Sequence, residues 1–227
     1  MPRLRHCERS EAIQVLSFVL LLLALIVSPP AFAQGQWDAD IAKFEAQDRL
    51  TPPPQNGVLF LGSSSIVGWD VAKSFPDLPV INRGFGGSLY QDLVTYFDRL
   101  VPPYRPRIVV LYSGDNDTSM NRRPAEIVGS IRTFEQRLHA LLPDTKLIVL
   151  SIKPSPARWS VVGPVRQTNE LIRAWAADRP NTAYVDIFPV MLGADGMPRP
   201  EFYVADGLHL TPAAYVLWTG ILRPHLQ

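Results

Sequence analysis

GVLFLGSSSIVGWD, residues Gly57–Asp70, decides how the rest of the chain is read. Val58 to Leu61 form an apolar run, too short for a helix and rich in branched and aromatic residues, as expected of a buried strand. Gly62 ends that strand, three serines follow, and Ile66, Val67 and Trp69 open a new pattern. A strand that breaks at glycine and turns at once into a helix holds its first polar side chains at the carboxyl edge of a sheet, where ligands bind in open α/β folds. The first helical turn also leaves its backbone N–H groups unpaired there. One place thus offers a serine hydroxyl and donors able to stabilise an anion. Taken alone, the segment reads more simply as a strand, a turn and a serine N-cap.

Upstream, Trp37–Leu50 predicts an amphipathic helix with Trp37, Ile41 and Phe44 at helical spacing, stopped by Thr51-Pro52-Pro53-Pro54. Downstream, Leu78–Asn82 predicts a second strand closed by Arg83-Gly84-Phe85-Gly86-Gly87, and Ser88 can cap a helix from Leu89 to Leu100. Arg107–Tyr112 is a third strand, followed by Ser113-Gly114-Asp115-Asn116-Asp117. A long helix over Pro124–Leu142, a strand over Lys146–Ile152, a helix over Val165–Ala177 and a strand over Ala183–Phe188 complete the alternation. Asp206-Gly207-Leu208-His209 then precedes a last helix with Thr211 as N-cap and Pro212 at its first position. Apolar strands alternating with helices predict a five-stranded parallel sheet covered on both faces, in one domain spanning 34–227. The loops after the first three strands and the loop before the last helix should converge at the carboxyl edge.

The 227 residues, 47% hydrophobic, suffice for one such core. A net charge of +1 supplies no basic field for nucleic acid. The single Cys7 excludes an internal disulfide framework and a cysteine-based metal cluster, and the four histidines show no paired metal-ligand spacing. Arg3, Arg5 and Arg9, the apolar run Val15–Val27, and Ala31-Phe32-Ala33 before Gln34 read as a secretory signal peptide over residues 1–33, cleaved after Ala33. The run is short for a membrane span, so no stable membrane insertion is expected after cleavage, and a periplasmic or secreted location is. Residues 1–33 hold three of the 22 basic and two of the 21 acidic residues, so the remainder is neutral.

Each converging loop offers a specific group. The first gives serine hydroxyls. The second gives Gly86 and Gly87, whose backbone can approach a ligand closely. The third gives the Asn116 amide. The fourth gives Asp206 and His209, three residues apart across a glycine turn, so that the carboxylate can take the imidazole Nδ1–H and fix its tautomer. A nucleophile, a base, an orienting carboxylate and an oxyanion hole are the requirements of acyl transfer.

In these blocks the chain resembles the SGNH, or GDSL-type, hydrolases. Phe60-Leu61-Gly62-Ser63-Ser64-Ser65 stands as the nucleophile block, Asn82-Arg83-Gly84-Phe85-Gly86-Gly87 as the glycine block, Gly114-Asp115-Asn116-Asp117 as GxND, and Asp206-Gly207-Leu208-His209 as DxxH. The family's G-D-S is G-S-S here, with Ser63 in the aspartate position. The resemblance implies a flavodoxin-like three-layer α/β/α sandwich and a Ser64–His209–Asp206 triad. It implies an oxyanion hole of Ser64 N–H, Gly87 N–H and the Asn116 side chain, and no metal or organic cofactor. Ser63 and Ser65 flank the nucleophile as rival hydroxyls. Arg83, Ser63, Trp159 and Tyr203, with Arg158, are candidate substrate contacts; ordinary packing is the competing account. The glycine cluster lacks both G-x-G-x-x-G spacing and a P-loop lysine, which argues against phosphate binding. The expected function is an exported esterase of short-chain acyl esters, small or on a glycan. An acyltransferase and a non-catalytic glycan- or lipid-binding module are the alternatives, and the oligomeric state is left open.

Overall fold

The computed structural model describes residues 35–227. The chain divides into Met1–Asp38 and Ala39–Gln227, and the fold described here is that of the second unit. The expected signal peptide and cleavage site fall outside the described residues. Among the described residues, no helix is long and apolar enough to cross a membrane.

The elements run α1 (Asp38–Leu50), β1 (Val58–Gly62), α2 (Ser64–Val67), α3 (Val71–Ser74), β2 (Val80–Gly84), α4 (Tyr90–Thr95), α5 (Phe97–Leu100), β3 (Ile108–Tyr112), α6 (Asp115–Ser119), α7 (Pro124–Leu141), β4 (Lys146–Leu150), α8 (Val162–Ala176), β5 (Thr182–Val185) and α9 (Pro212–Leu222). The five strands form one sheet in the order β2-β1-β3-β4-β5, and every pair is parallel. This is the doubly wound order whose switch point lies between β1 and β3. β1 and β3 are buried along their whole length, as strands covered on both faces must be, and edge strand β2 alternates buried and half-buried positions. Phe60 sits between Asn82 and Val110, and Gly62 between Gly84 and Tyr112, so the ends of β1, β2 and β3 are level.

On one face, Val58, Phe60, Val110, Tyr112 and Ile148 pack with Trp69, Phe75 and the α9 residues Ala214, Trp218 and Leu222. Side chains alternate along a strand, so Leu59, Leu61, Val109 and Leu111 serve the opposite face, and there α7 packs against both α4 and α8. Under the β1–α2 turn lies an aromatic cluster. Trp69 meets Phe60 at 5.4 Å and Trp218 at 5.6 Å, both edge-on, and Tyr112 lies 5.2 Å from Trp218. Such pairs contribute about 0.5–1.5 kcal/mol each beyond area burial and make the floor of the turn stiff.

Several boundaries differ from the sequence reading. β2 runs from Val80 to Gly84, not from Leu78 to Asn82, because Leu78 N–H closes a turn onto Phe75 O (3.1 Å) and Pro79 has no N–H to give. The expected Leu89–Leu100 helix is two helices, broken at Tyr96. Ser88 does not cap it; the N-cap position is Leu89, whose N–H is taken by Asp92 Oδ2 at 2.8 Å. A further helical turn, α3, follows Trp69 and is capped by Asp70, which accepts from Lys73 N–H at 3.1 Å.

Candidate active site

Gly62 lets β1 turn directly into α2. Its φ is +152°, and a Cβ there would lie 1.7 Å from Tyr112 O, so no other residue fits. The turn carries Ser63, Ser64 and Ser65. Ser63 and Ser65 are buried, whereas Ser64 is half-exposed. Ser63 holds the N-cap position of α2 without a side-chain cap bond.

Ser64 Oγ lies 3.0 Å from His209 Nε2, and His209 Nδ1 lies 2.6 Å from Asp206 Oδ2. A carboxylate only accepts, so Nδ1 carries the proton and Nε2 presents its lone pair to the Ser64 hydroxyl. Asp206 Oδ1 accepts from the N–H groups of Leu208 (2.8 Å) and His209 (2.9 Å), which winds the turn around the carboxylate. Gly207 takes φ +65° inside that turn. The His209 bond, together with these two N–H groups, lowers the Asp206 pKa to about 2. Both side chains of the pair are 47% exposed, so the imidazole faces open solvent.

The glycine block and the GxND block meet beside Ser64. A Cβ on Gly86 would stand 3.9 Å from Ser64 Cβ, and Gly87, next along, takes φ +80°. Asn116 Nδ2 donates to Ser88 O at 3.1 Å, and Ser113 Oγ donates to the same carbonyl at 2.9 Å. The glycine loop is thereby tied to the loop that carries Asn116. Asn116 follows Gly114, whose φ of +100° starts α6 so abruptly that a Cβ would meet Ile152 Cδ1 at 2.5 Å.

A model of the GDSL-like lipase/acylhydrolase family matches residues 59–217, from within β1 to α9. The chain belongs to this family. Platelet-activating factor acetylhydrolase IB subunit alpha1 is 28% identical in Rattus norvegicus over 204 residues, covering 83% of this chain and 84% of that protein. The Homo sapiens protein of the same name is 27% identical over the same coverage. Among solved structures, a protein from Streptococcus pneumonia has a TM-score of 0.77 at 20% identity, covering 97% of this chain and all of that one. A GDSL-like lipase from Bacteroides thetaiotaomicron has a TM-score of 0.72 at 22% identity, covering 83% and 97% of the two chains. A catalytic mutant of an acetylxylan esterase from Geobacillus stearothermophilus has a TM-score of 0.60 at 16% identity, covering 75% and 94%. The five-stranded parallel sheet flanked by helices is the fold these proteins share. Membership places the chain among hydrolases that act on esters.

In this GDSL-like acylhydrolase, three of the five residues expected against substrate are packed into the fold. Arg83 is 7% exposed; its guanidinium pairs with Asp48, donates to Tyr104 Oη at 2.7 Å and to Asn82 O at 2.8 Å, and lies over the Phe44 ring. Ser63 is fully buried. Tyr203 is 7% exposed and donates its hydroxyl to Pro154 O at 2.6 Å. Trp159 is half-buried on a 3₁₀ turn, Pro156–Val161, and its neighbour Arg158 reaches Asn116. The sequence reading missed Lys153, which pairs with Asp115 at 2.6 Å while 2% exposed. A lysine closing the apolar run KLIVLSIK at the carboxyl edge of β4 was the available signal. It also missed Tyr215, whose hydroxyl reaches the turn that bears Ser64.

Proposed function

We propose that this acylhydrolase is a serine esterase of short-chain acyl esters, working through a Ser64–His209–Asp206 triad and an acyl-enzyme. The observation that carries the reading is the unbroken chain from Ser64 Oγ to His209 (3.0 Å) to Asp206 (2.6 Å). Ser64 Oγ attacks the ester carbonyl carbon as its proton passes to His209 Nε2. The carbonyl oxygen becomes an oxyanion, met by Ser64 N–H, Gly87 N–H and Asn116 Nδ2–H. Losing one such donor typically costs about 3–4 kcal/mol of transition-state stabilisation. The C–O bond to the alcohol breaks, and Nε2 returns its proton to the departing oxygen. Water then attacks the acyl-Ser64 carbonyl, giving a proton to Nε2, and collapse releases the acid and restores the Ser64 hydroxyl. Asp206 stays ionised throughout and stabilises the imidazolium.

Short acyl groups are supported by two relatives' names, an acetylhydrolase and an acetylxylan esterase. An acetyl ester on a glycan fits the same reading. We also propose that residues 1–33 direct export and are removed after Ala33, so that the enzyme acts in the periplasm or outside the cell. The apolar run between Arg9 and Ser28 supports this.

Intact mass after fluorophosphonate treatment tests the mechanism. One adduct on the wild type, absent from Ser64→Ala, is expected, together with p-nitrophenyl acetate hydrolysis that falls as the acyl chain lengthens. A folded wild type that takes no adduct overturns the reading and favours a binding role.

A further inference from the structure

Asn116 is held from three sides. Its backbone N–H donates to Asp115 Oδ1 at 3.0 Å, its Nδ2 donates to Ser88 O at 3.1 Å, and its Oδ1 accepts from an Arg158 guanidinium nitrogen at 3.0 Å. The second terminal nitrogen of Arg158 lies 3.8 Å from Asp115 Oδ2, and that oxygen also takes the Lys153 ammonium at 2.6 Å. Lys153 reaches the Tyr112 hydroxyl as well, at 3.3 Å. Two cations therefore share one carboxylate directly behind the amide.

We propose that Arg158 is a positioning residue for Asn116: it locks the amide with Nδ2–H outward and Oδ1 inward, and so presents a donor to the oxyanion. This rests on the proposed serine-esterase reading. An asparagine amide has two orientations of almost the same shape and opposite polarity. One puts an N–H against the developing negative charge; the other puts a carbonyl oxygen there. A guanidinium can only donate and a backbone carbonyl can only accept, so Arg158 on one side and Ser88 O on the other admit a single orientation. The cation on Oδ1 also polarises the amide and strengthens the donor at Nδ2. Burial alone would push the Asp115 carboxyl up, but Lys153 and Arg158 outweigh it and hold the group below the usual carboxylate range, so the brace stays charged.

The segment that carries Arg158 is docked to the base as well. Ala157 N–H donates to Gly207 O at 3.1 Å, and Tyr203 Oη donates to Pro154 O at 2.6 Å. One short stretch, Lys153–Arg158, thus spans the gap between the amide donor and the Asp206–His209 turn. This stretch therefore tethers the loop that bears Asn116 to the turn that bears His209.

A double-mutant cycle on p-nitrophenyl acetate tests the proposal, using Arg158→Ala, Asn116→Ala and the pair, each checked for folding by near-ultraviolet circular dichroism. Asn116→Ala should lower kcat about 10²–10³-fold. Arg158→Ala should lower kcat about 10-fold or more at nearly constant KM, and should add almost nothing in the Asn116→Ala background. An equal loss in both backgrounds, an effect confined to KM, or a wild-type kcat would overturn it. If Arg158→Ala does not fold, Arg158→Lys is read in the same cycle. Its single ammonium cannot serve Asn116 and Asp115 together, so it should lose kcat in the wild-type background alone. Fluorophosphonate labelling of wild-type Ser64 separates the two levels. Without labelling, the esterase reading falls and this proposal with it; with labelling and an additive cycle, only the role of Arg158 falls.

Discussion

The Tyr215 hydroxyl donates to the backbone carbonyl of Ser65 at 2.9 Å, joining α9 to the turn that bears Ser64. His209 lies just before α9, so this bond helps set the separation between Ser64 and His209. Burial pushes the Tyr215 pKa up to about 12, which keeps the hydroxyl a donor at any working pH. The approach requires Gly68, where a Cβ would stand 2.6 Å from the hydroxyl oxygen. Tyr215→Phe should leave the Ser65 carbonyl unpaired and cost about 1–2 kcal/mol in urea denaturation. It should also reduce kcat severalfold while the enzyme still takes a fluorophosphonate.

Asp206→Asn should fold normally and lose roughly 10²–10⁴ in kcat, because an amide cannot fix the Nδ1–H tautomer or stabilise the imidazolium as a carboxylate does. In the wild type the Asp206 pKa is lowered to about 2. A carboxylate with a depressed native pKa adds stability above its ordinary value of 3.8, and that stability is lost as pH falls through about 2. The carboxylate is therefore fully ionised above about pH 4. An acid limb in a kcat/KM profile above that pH should therefore not trace to this group.

Asp117 behaves oppositely. It is 1% exposed on α6, next to Asn116, and burial raises its pKa to about 6 although Tyr90 N–H reaches it at 3.3 Å. The folded state then binds its proton more tightly than the unfolded state does. Stability should fall as pH rises from about 4 to about 6 and level off above, by on the order of 1–3 kcal/mol. Asp117→Asn keeps an acceptor for Tyr90 N–H without the charge. Urea midpoints taken across that window should lose their downward slope in the variant.

Much of the architecture could be read from apolar runs, and the errors have local causes. The run Ala183–Phe188 continues past β5, which ends at Val185, because Ser151 Oγ accepts the N–H groups of Ile187 (2.9 Å) and Phe188 (3.0 Å) and so ends the ladder. β4 stops at Leu150 rather than Ile152 because Asn169 of α8 takes both the N–H (2.8 Å) and the carbonyl (2.9 Å) of Ile152. A hydroxyl or an amide from a distant element can replace a strand partner, and hydrophobic periodicity does not register it. The dyad was legible because Asp206 and His209 meet within one turn. The packing of Arg83 was not legible because its partners Asp48 and Tyr104 lie 35 and 21 residues away. A charged residue beside a glycine block looks the same in sequence whether it faces substrate or an internal carboxylate.

Loops of α/β proteins ordinarily absorb insertions and deletions with little penalty. The Lys153–Arg158 stretch has no such freedom, being anchored to Asp115 and Asn116 at one side and to Tyr203 and Gly207 at the other. One added residue would have to be accommodated by moving a cation, an amide or the histidine turn. Tolerance to changes of chain length belongs instead at the exposed Asp195–Gly196 tip, inside the short bridge between Leu192 and Pro198. Divergence within this lineage should therefore reshape the rim of the molecule by length at that tip, while the stretch after β4 varies only by substitution.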